Sequence, residues 1–242
     1  MNSRIQILLD LIDRFLSQII IIVFVAVLTL CLYVVYDAFC IHNETQVISG
    51  AAELVKNVPD DQRISELKRT NEDIKAWIKL DDTEIDYPIT QTSNNQFYLT
   101  HDYKKEYSIA GSIFADYRSN LTTDNYSVIY GHNMNGNSMF GSLNQFRDGD
   151  YFSKHNSGRI YLEDGKNYSL QVLGFAVVED SQNPLYDLDN NANGANETII
   201  NTVNSAAINK NTPADMPNTL LLLSTCYQHS SQRSVLLVGY NR

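Results

Sequence analysis

Between Phe15 and Tyr36 the chain carries no charged residue, and the centre of that stretch, Ile19–Leu32, reads IIIIVFVAVLTLCL. About 20 apolar residues is the length that spans a bilayer as a helix, because hydrocarbon offers no partner for an unpaired backbone group. The run therefore divides the 242 residues into a short head and a long remainder. A cleaved secretory signal is the competing reading. Against it, the run is long and no small-x-small site follows; Phe39, ahead of Cys40, is bulky where a lipoprotein site needs a small residue. Arg4 and Arg14 precede the run, Asp37 follows it, and the next basic residue is Lys56. The positive-inside rule then puts residues 1–14 in the cytoplasm, 15–36 in the membrane and the rest outside, a single-pass type II arrangement. Residues 37–59 read as a stalk or first helix and 60–242 as an extracellular folded domain.

That domain is long enough to bury a core without disulfides. The formal charge is −10, from 18 basic and 28 acidic side chains. An acidic chain repels phosphate backbones, so no nucleic-acid partner is expected. Of three cysteines, Cys31 lies in the apolar run and Cys40 just after it, leaving Cys226 alone in the domain. A lone cysteine builds neither a disulfide framework nor a Cys-rich zinc site. Asp81, Asp82, Asp102 and Asp116 lack the loop spacing of a calcium site and read as turn and surface residues. No metal and no cofactor is expected.

Asp60 or Asp61 can cap a helix after Pro59, with Ile64, Leu67, Ile74, Trp77 and Ile78 at near-helical spacing. From about Trp77 the pattern changes to eight short β-rich runs: 77–80, 85–90, 111–115, 126–131, 159–162, 168–178, 219–226 and 234–240. Most are too close together for βαβ crossovers, and turn residues separate them, which predicts a closed barrel or sandwich. Asn196–Ile208 reads as a helix between the sixth and seventh strands, and Ser138–Phe146 as another short one.

Cys226 ends the apolar run TLLLLSTC, which places a thiol at a strand end where a core meets a loop. The bland reading of a buried cysteine is inert filler. A nucleophilic thiol must become a thiolate, so it needs a base or cation close by. His42 is juxtamembrane, and His101 and His155 sit in polar segments suited to surface roles. Two histidines remain. His229 is three residues after Cys226; His132 follows the strand NYSVIYG, flanked by glycines that let it reach a neighbouring strand end, and spacing favours it. Arg233 comes just before the last strand. If the last two strands form a hairpin, it sits beside the thiol, where it cannot act as a base but can donate to an oxyanion.

These residues resemble the sortases, the cysteine transpeptidases of Gram-positive cell surfaces, and class B in particular. The similarity runs from about residue 60 to the end and rests on IDYPITQ (85–91), GSIFADYR (111–118), YGHNMNGNSMFGSL (130–143) and LSTC (223–226) with Arg233 following. It implies an eight-stranded sortase-type barrel, with a helix between strands six and seven, as the catalytic domain. It implies His132, Cys226 and Arg233 as the catalytic residues, with Asn95, Leu99, Ser224 and Thr225 along the substrate groove. The chain departs from the family signature Thr-Leu-x-Thr-Cys by placing Leu222 first, and its Cys-to-Arg spacing is short.

The resemblance further implies a thioester acyl-enzyme. The substrates would be secreted surface proteins carrying a C-terminal sorting signal, and the acceptor an amine. That amine belongs to a peptidoglycan precursor if the product is a wall-anchored protein, or to a pilin lysine if it is a pilus; wall anchoring is preferred here. A cysteine endopeptidase using water would employ the same residues, and a non-enzymatic anchored module would give Cys226 no role.

Overall fold

The computed structural model describes residues 3–55, 57–59, 62–134, 137–179, 183–191, 196–212, 215–226 and 231–242, with the main chain alone at 3–10, 37–54, 191 and 226. Helix α1 (Ser3–Val55) contains the apolar run, Leu11–Tyr36. At 1.5 Å per residue these 26 residues extend about 39 Å, more than the hydrocarbon thickness of a bilayer. Among the described residues this is the one helix long and apolar enough to cross a membrane. The helical main chain continues to Val55, so most of the segment read as a stalk is helix. The chain divides into two units, residues 1–46 and 47–242.

Among the described residues the second unit has nine strands: β1 (Ile74–Leu80), β2 (Asp86–Thr90), β3 (Ile113–Ala115), β4 (Tyr126–His132), β5 (Ser157–Leu162), β6 (Asn167–Glu179), β7 (Ala207–Lys210), β8 (Thr219–Cys226) and β9 (Gln232–Tyr240). Their order is β5-β1-β2-β3-β4-β8-β9-β6-β7, and β5 also pairs with β6. That extra pairing closes eight strands into a barrel, which removes the open sheet edges. The long β6 makes closure possible. Its first residues pair with β5, while Gln171–Glu179 pair with β9. The eight expected strands are all present.

Three local expectations change. The helix read across Ile64–Ile78 is only α2 (Arg63–Lys68); Ile74, Trp77 and Ile78 belong to β1. Ile74, Ala76, Ile78 and Leu80 are buried on one face of that strand, and Trp77 is buried on the other between part-buried Lys75 and exposed Lys79, so positions 74, 77 and 78 imitate helical spacing. Its candidate caps, Asp60 and Asp61, lie outside the described residues. After the short helices α3 (Gly149–Lys154) and α4 (Leu188–Asn191), the helix expected to reach Ile208 stops as α5 (Asn196–Ala206), and Ala207–Lys210 form β7 against Gly174–Ala176. Asn209 anchors this switch, its amide donating to the carbonyls of Phe146 and Arg147 at 2.9 Å each. Finally, Ser138–Phe146 is a 3-10 segment over Phe140–Arg147.

The run of leucines in β8 follows from the packing on its two sides. Leu221 and Leu223 face the barrel interior with Ile129, Leu236 and Val238. Leu220 and Leu222 face outward under Ile199, Ile200 and Val203 of α5. Both faces are dry, so alternation disappears from the sequence. Leu222→Ala should lower stability by about 2–5 kcal/mol, the cost of a cavity in a packed core, whereas Ile208→Ala, at a half-exposed position, should change it by less than about 0.5 kcal/mol. Chemical denaturation of the two variants measures the difference.

Candidate active site

Strands β4 and β8 run parallel, in register from Tyr126↔Leu220 to His132↔Cys226. A seven-residue ladder thus makes His132 and Cys226 backbone neighbours at the same rim. Neighbouring strands lie about 4.8 Å apart. The expected hairpin of β8 and β9 is also present, pairing Thr219↔Tyr240 through Ser224↔Val235. It brings Arg233 back to this rim, where its guanidinium donates to the Thr225 carbonyl at 3.2 Å, one residue before Cys226. The cysteine's side chain and His229 lie outside the described residues.

The glycine before His132 serves packing rather than reach. A Cβ on Gly131 would stand 2.4 Å from Ile113 Cδ1 and 2.8 Å from the Phe140 ring. His132 itself is 9% exposed. Its Nε2 lies 2.7 Å from the Leu99 carbonyl. A carbonyl only accepts, so this contact places a proton on Nε2 and leaves Nδ1 as the nitrogen that can take up or release one. Nδ1 is buried and has no hydrogen-bond partner among the described residues. A buried polar atom left unsatisfied costs free energy, and here it is the one imidazole atom open to exchange a proton. Leu99 is held in place by a close approach of backbone. Gly111, at φ +60°, lies so near that a Cβ would be 2.4 Å from the Tyr98 carbonyl oxygen and 2.8 Å from that of Leu99, a conformation suited to glycine.

The four residues read as groove-lining have different placements. Asn95 and Leu99 are half-buried, while Ser224 and Thr225 are fully buried. Ser224 Oγ shares a hydrogen bond with the Tyr186 hydroxyl at 2.9 Å. Thr225 Oγ1 turns inward, accepting from the Ser234 N–H at 3.1 Å and donating to the Ser234 carbonyl at 3.3 Å.

Sequence reasoning missed the charged hub beneath this rim. Asp116 was expected as a turn or surface residue, and its side chain is 0% exposed. Its carboxylate accepts from Arg118 Nε and Nη2 at 3.0 Å each, from the Arg118 N–H at 3.0 Å, from Asn95 Nδ2 at 2.9 Å and from the Tyr130 hydroxyl at 3.0 Å. Burial alone would raise the carboxyl pKa; the hydrogen bonds and charge of Arg118, with Asn95, outweigh it and hold the pKa below its usual 3.8. Burial and the nearby Asp116 charge push the Tyr130 hydroxyl far up, so it remains a donor. Arg118 also reaches the Tyr186 carbonyl at 3.3 Å. The Tyr186 ring stacks on Tyr130, centroids 6.4 Å apart, and lies 5.8 Å from the Arg233 guanidinium carbon. One anion thus ties Asn95, β4 and the segment carrying Tyr186 into a single wall.

The Sortase domain family matches residues 78–239. The chain belongs to the sortase family of cysteine transpeptidases. Within it the likeness is to class B. Sortase B of Listeria monocytogenes is 39% identical over 154 residues, which cover 60% of this chain and 61% of that protein. The chain thus spans somewhat less than two thirds of that relative. Among solved structures, Bacillus anthracis sortase B in complex with AAEK1 superposes with a TM-score of 0.72 at 25% identity, covering 84% of this chain and 99% of that one. A Streptococcus pyogenes class B sortase involved in pilus biogenesis gives 0.64 at 30% identity, covering 73% and 96%.

In this sortase the motif GSIFADYR contains the hub. Asp116 follows β3 immediately, and an acidic residue two before an arginine at a strand end was the available signal. Folded Asp116 has a pKa below its unfolded value. Its stabilising contribution is therefore complete above the unfolded pKa near 4 and is lost as pH falls through the lower folded value. Asp116→Asn should cost about 1.5–3 kcal/mol at neutral pH, the range for hydrogen bonds to a charged group. It should also flatten the fall in stability between about pH 5 and pH 2, measured as denaturation midpoints across that range.

Proposed function

We propose that this chain is a membrane-anchored class B sortase that cleaves a C-terminal sorting signal of secreted proteins through a thioester at Cys226 and passes the acyl group to an amine of the cell wall. The observation that carries the reading is the in-register pairing of β4 with β8, which makes His132 and Cys226 neighbours, with the Arg233 guanidinium one residue away. The apolar Leu11–Tyr36 supports anchoring. The excess of arginine before the run supports a cytoplasmic N-terminus and a catalytic domain outside the membrane.

In this reading Cys226 passes its thiol proton to His132 Nδ1 and, as thiolate, attacks the carbonyl carbon of the scissile peptide bond. The C–N bond breaks, the leaving amine takes a proton from His132, and a thioester remains. The acceptor amine then attacks the thioester carbonyl, His132 receives its proton, and Cys226 departs as thiolate while a new amide forms. The Leu99 carbonyl keeps the Nε2 proton in place, so Nδ1 is the nitrogen that gives and takes. Arg233 offers positive charge to the oxyanion in both halves. Asn95 and Leu99, half-buried, line the groove in this reading, with Tyr130 and Tyr186 forming part of its wall and the fully buried Ser224 and Thr225 backing it.

A second acceptor is supported by the likeness to the pilus-associated class B sortase, whose length the chain covers almost entirely. There the amine would be a pilin lysine. Cys226→Ala should abolish the covalent peptide adduct seen by intact mass spectrometry with a library of sorting-signal peptides, and an adduct persisting in that variant refutes the nucleophile. Arg233→Ala should lower turnover by about 10²–10³-fold, the loss typical of one oxyanion donor, while the protein still melts cooperatively; an unchanged rate removes Arg233 from the mechanism. Adding a wall-type amine, a lysine peptide or water alone to the assay separates anchoring, pilus assembly and proteolysis by product.

A further inference from the structure

Two of the backbone ladders stop just short of the rim: the β8–β9 register ends at Ser224↔Val235, and β3 pairs with β4 no further than Tyr130. The β4–β8 and β6–β9 ladders continue, pairing Gly131↔Thr225 and Val177↔Ser234, and Asn133 forms a bridge with Met139. Where β8 and β9 no longer pair, the residues next to the three proposed catalytic positions, namely Asn133, Thr225 and Ser234, are also linked to one another through side chains. Asn144, half-buried in the middle of the Phe140–Arg147 segment, connects them. Its Oδ1 accepts from Ser234 Oγ at 2.7 Å. Its Nδ2 donates to Asn133 Oδ1 at 3.1 Å and to the Gly141 carbonyl at 3.2 Å. Gly141's carbonyl only accepts, so the amide nitrogen must face it and the oxygen must face Ser234. Ser234 passes the link to Thr225 through the paired bonds described above. Two strand ends thus meet on one amide, and the third joins them through the Ser234 main chain.

We propose that Asn144 is a positioning residue that sets the geometry of His132, Cys226 and Arg233 by fastening the residue beside each. The inference rests on the assignment of those three residues to catalysis. Asn144 touches none of them and fixes only the chain they ride on. An amide suits this task because it carries an acceptor and two donors in one rigid plane. Asn144→Asp keeps the acceptor, loses the donors and preserves the shape. Asn144→Ala loses both arms. Ser234→Ala cuts only the arm to β8 and β9.

The test uses the full chain in detergent micelles and iodoacetamide, with alkylation of Cys226 followed on its own peptide by mass spectrometry from pH 5 to pH 9. In the wild type the rate near neutral pH depends on His132, so His132→Gln slows it about tenfold, as expected when a thiolate loses a cationic neighbour. Asn144→Ala should take the profile to within about 3-fold of His132→Gln while retaining a cooperative melt, with Asn144→Asp and Ser234→Ala between it and the wild type. Asn144→Ala combined with Ser234→Ala should be no slower than Asn144→Ala alone, since the two act along one path. Asn144 variants that melt cooperatively and alkylate within about 2-fold of wild type across the range overturn the inference. If Asn144→Ala fails to fold, Asn144→Asp and Ser234→Ala decide it by the same criterion. A wild-type profile identical to that of His132→Gln instead overturns the pairing of His132 with Cys226, and the inference with it.

Discussion

The parallel pairing of β4 with β8 is the constraint on which the molecule depends. It runs from Tyr126↔Leu220 to His132↔Cys226 without a bulge. A slip of one residue would turn every side chain of β8 to the opposite face. Leu221 and Leu223 would leave the barrel interior and Leu220 and Leu222 would leave the surface beneath α5. Each of the four is essentially fully buried, at 0–1% exposure, so the register is fixed by two hydrophobic layers at once. The same register carries Cys226 to the His132 position. Packing deep in the barrel therefore sets the geometry at its rim.

Around that rim, polar groups are arranged in two tiers. Asp116 lies below, a buried anion with five hydrogen bonds that orients Asn95, Tyr130 and, through Arg118, the Tyr186 segment. Asn144 lies to the side, bonded to Ser234 of β9 and to Asn133 just after β4. A buried charge is stabilising only when its partners are complete, and Asp116 meets that condition. At the rim itself His132 Nδ1 is buried and without a partner among the described residues, as is Ser119 Oγ beside the Asp116 hub. At the rim, an unsatisfied imidazole nitrogen is the mark of a group kept available for chemistry.

Much of this was legible in the residues. The apolar run is a period-free signal read by length alone, and the barrel strands are short, β-rich and punctuated by turns. His132, Cys226 and Arg233 stand where apolar runs meet polar segments, a change that is visible locally. What escaped has a common cause. Ile74, Trp77 and Ile78 looked helical because Trp77 is buried on the outer face of β1 and so interrupts its alternation. Asp116 looked like a surface aspartate because its five donors come from residues 95, 118 and 130, and no local pattern announces a partner in another strand. Asn144 was hidden in the same way, its partners being Asn133, Gly141 and Ser234. Gly131 was read as giving His132 reach, whereas it gives Ile113 and Phe140 room to pack.

The central claim is that His132 and Cys226 are neighbours across two parallel strands. Replacing His132 with cysteine, and Cys31 and Cys40 with serine, leaves two thiols at positions 132 and 226 of the full chain. A bis-alkylating thiol reagent short enough to bridge only adjacent strands, followed by digestion and mass spectrometry, should recover one peptide pair joined through those positions in high yield. Recovery of both thiols singly alkylated, in a protein that still melts cooperatively, would mean that β4 and β8 do not meet in this register.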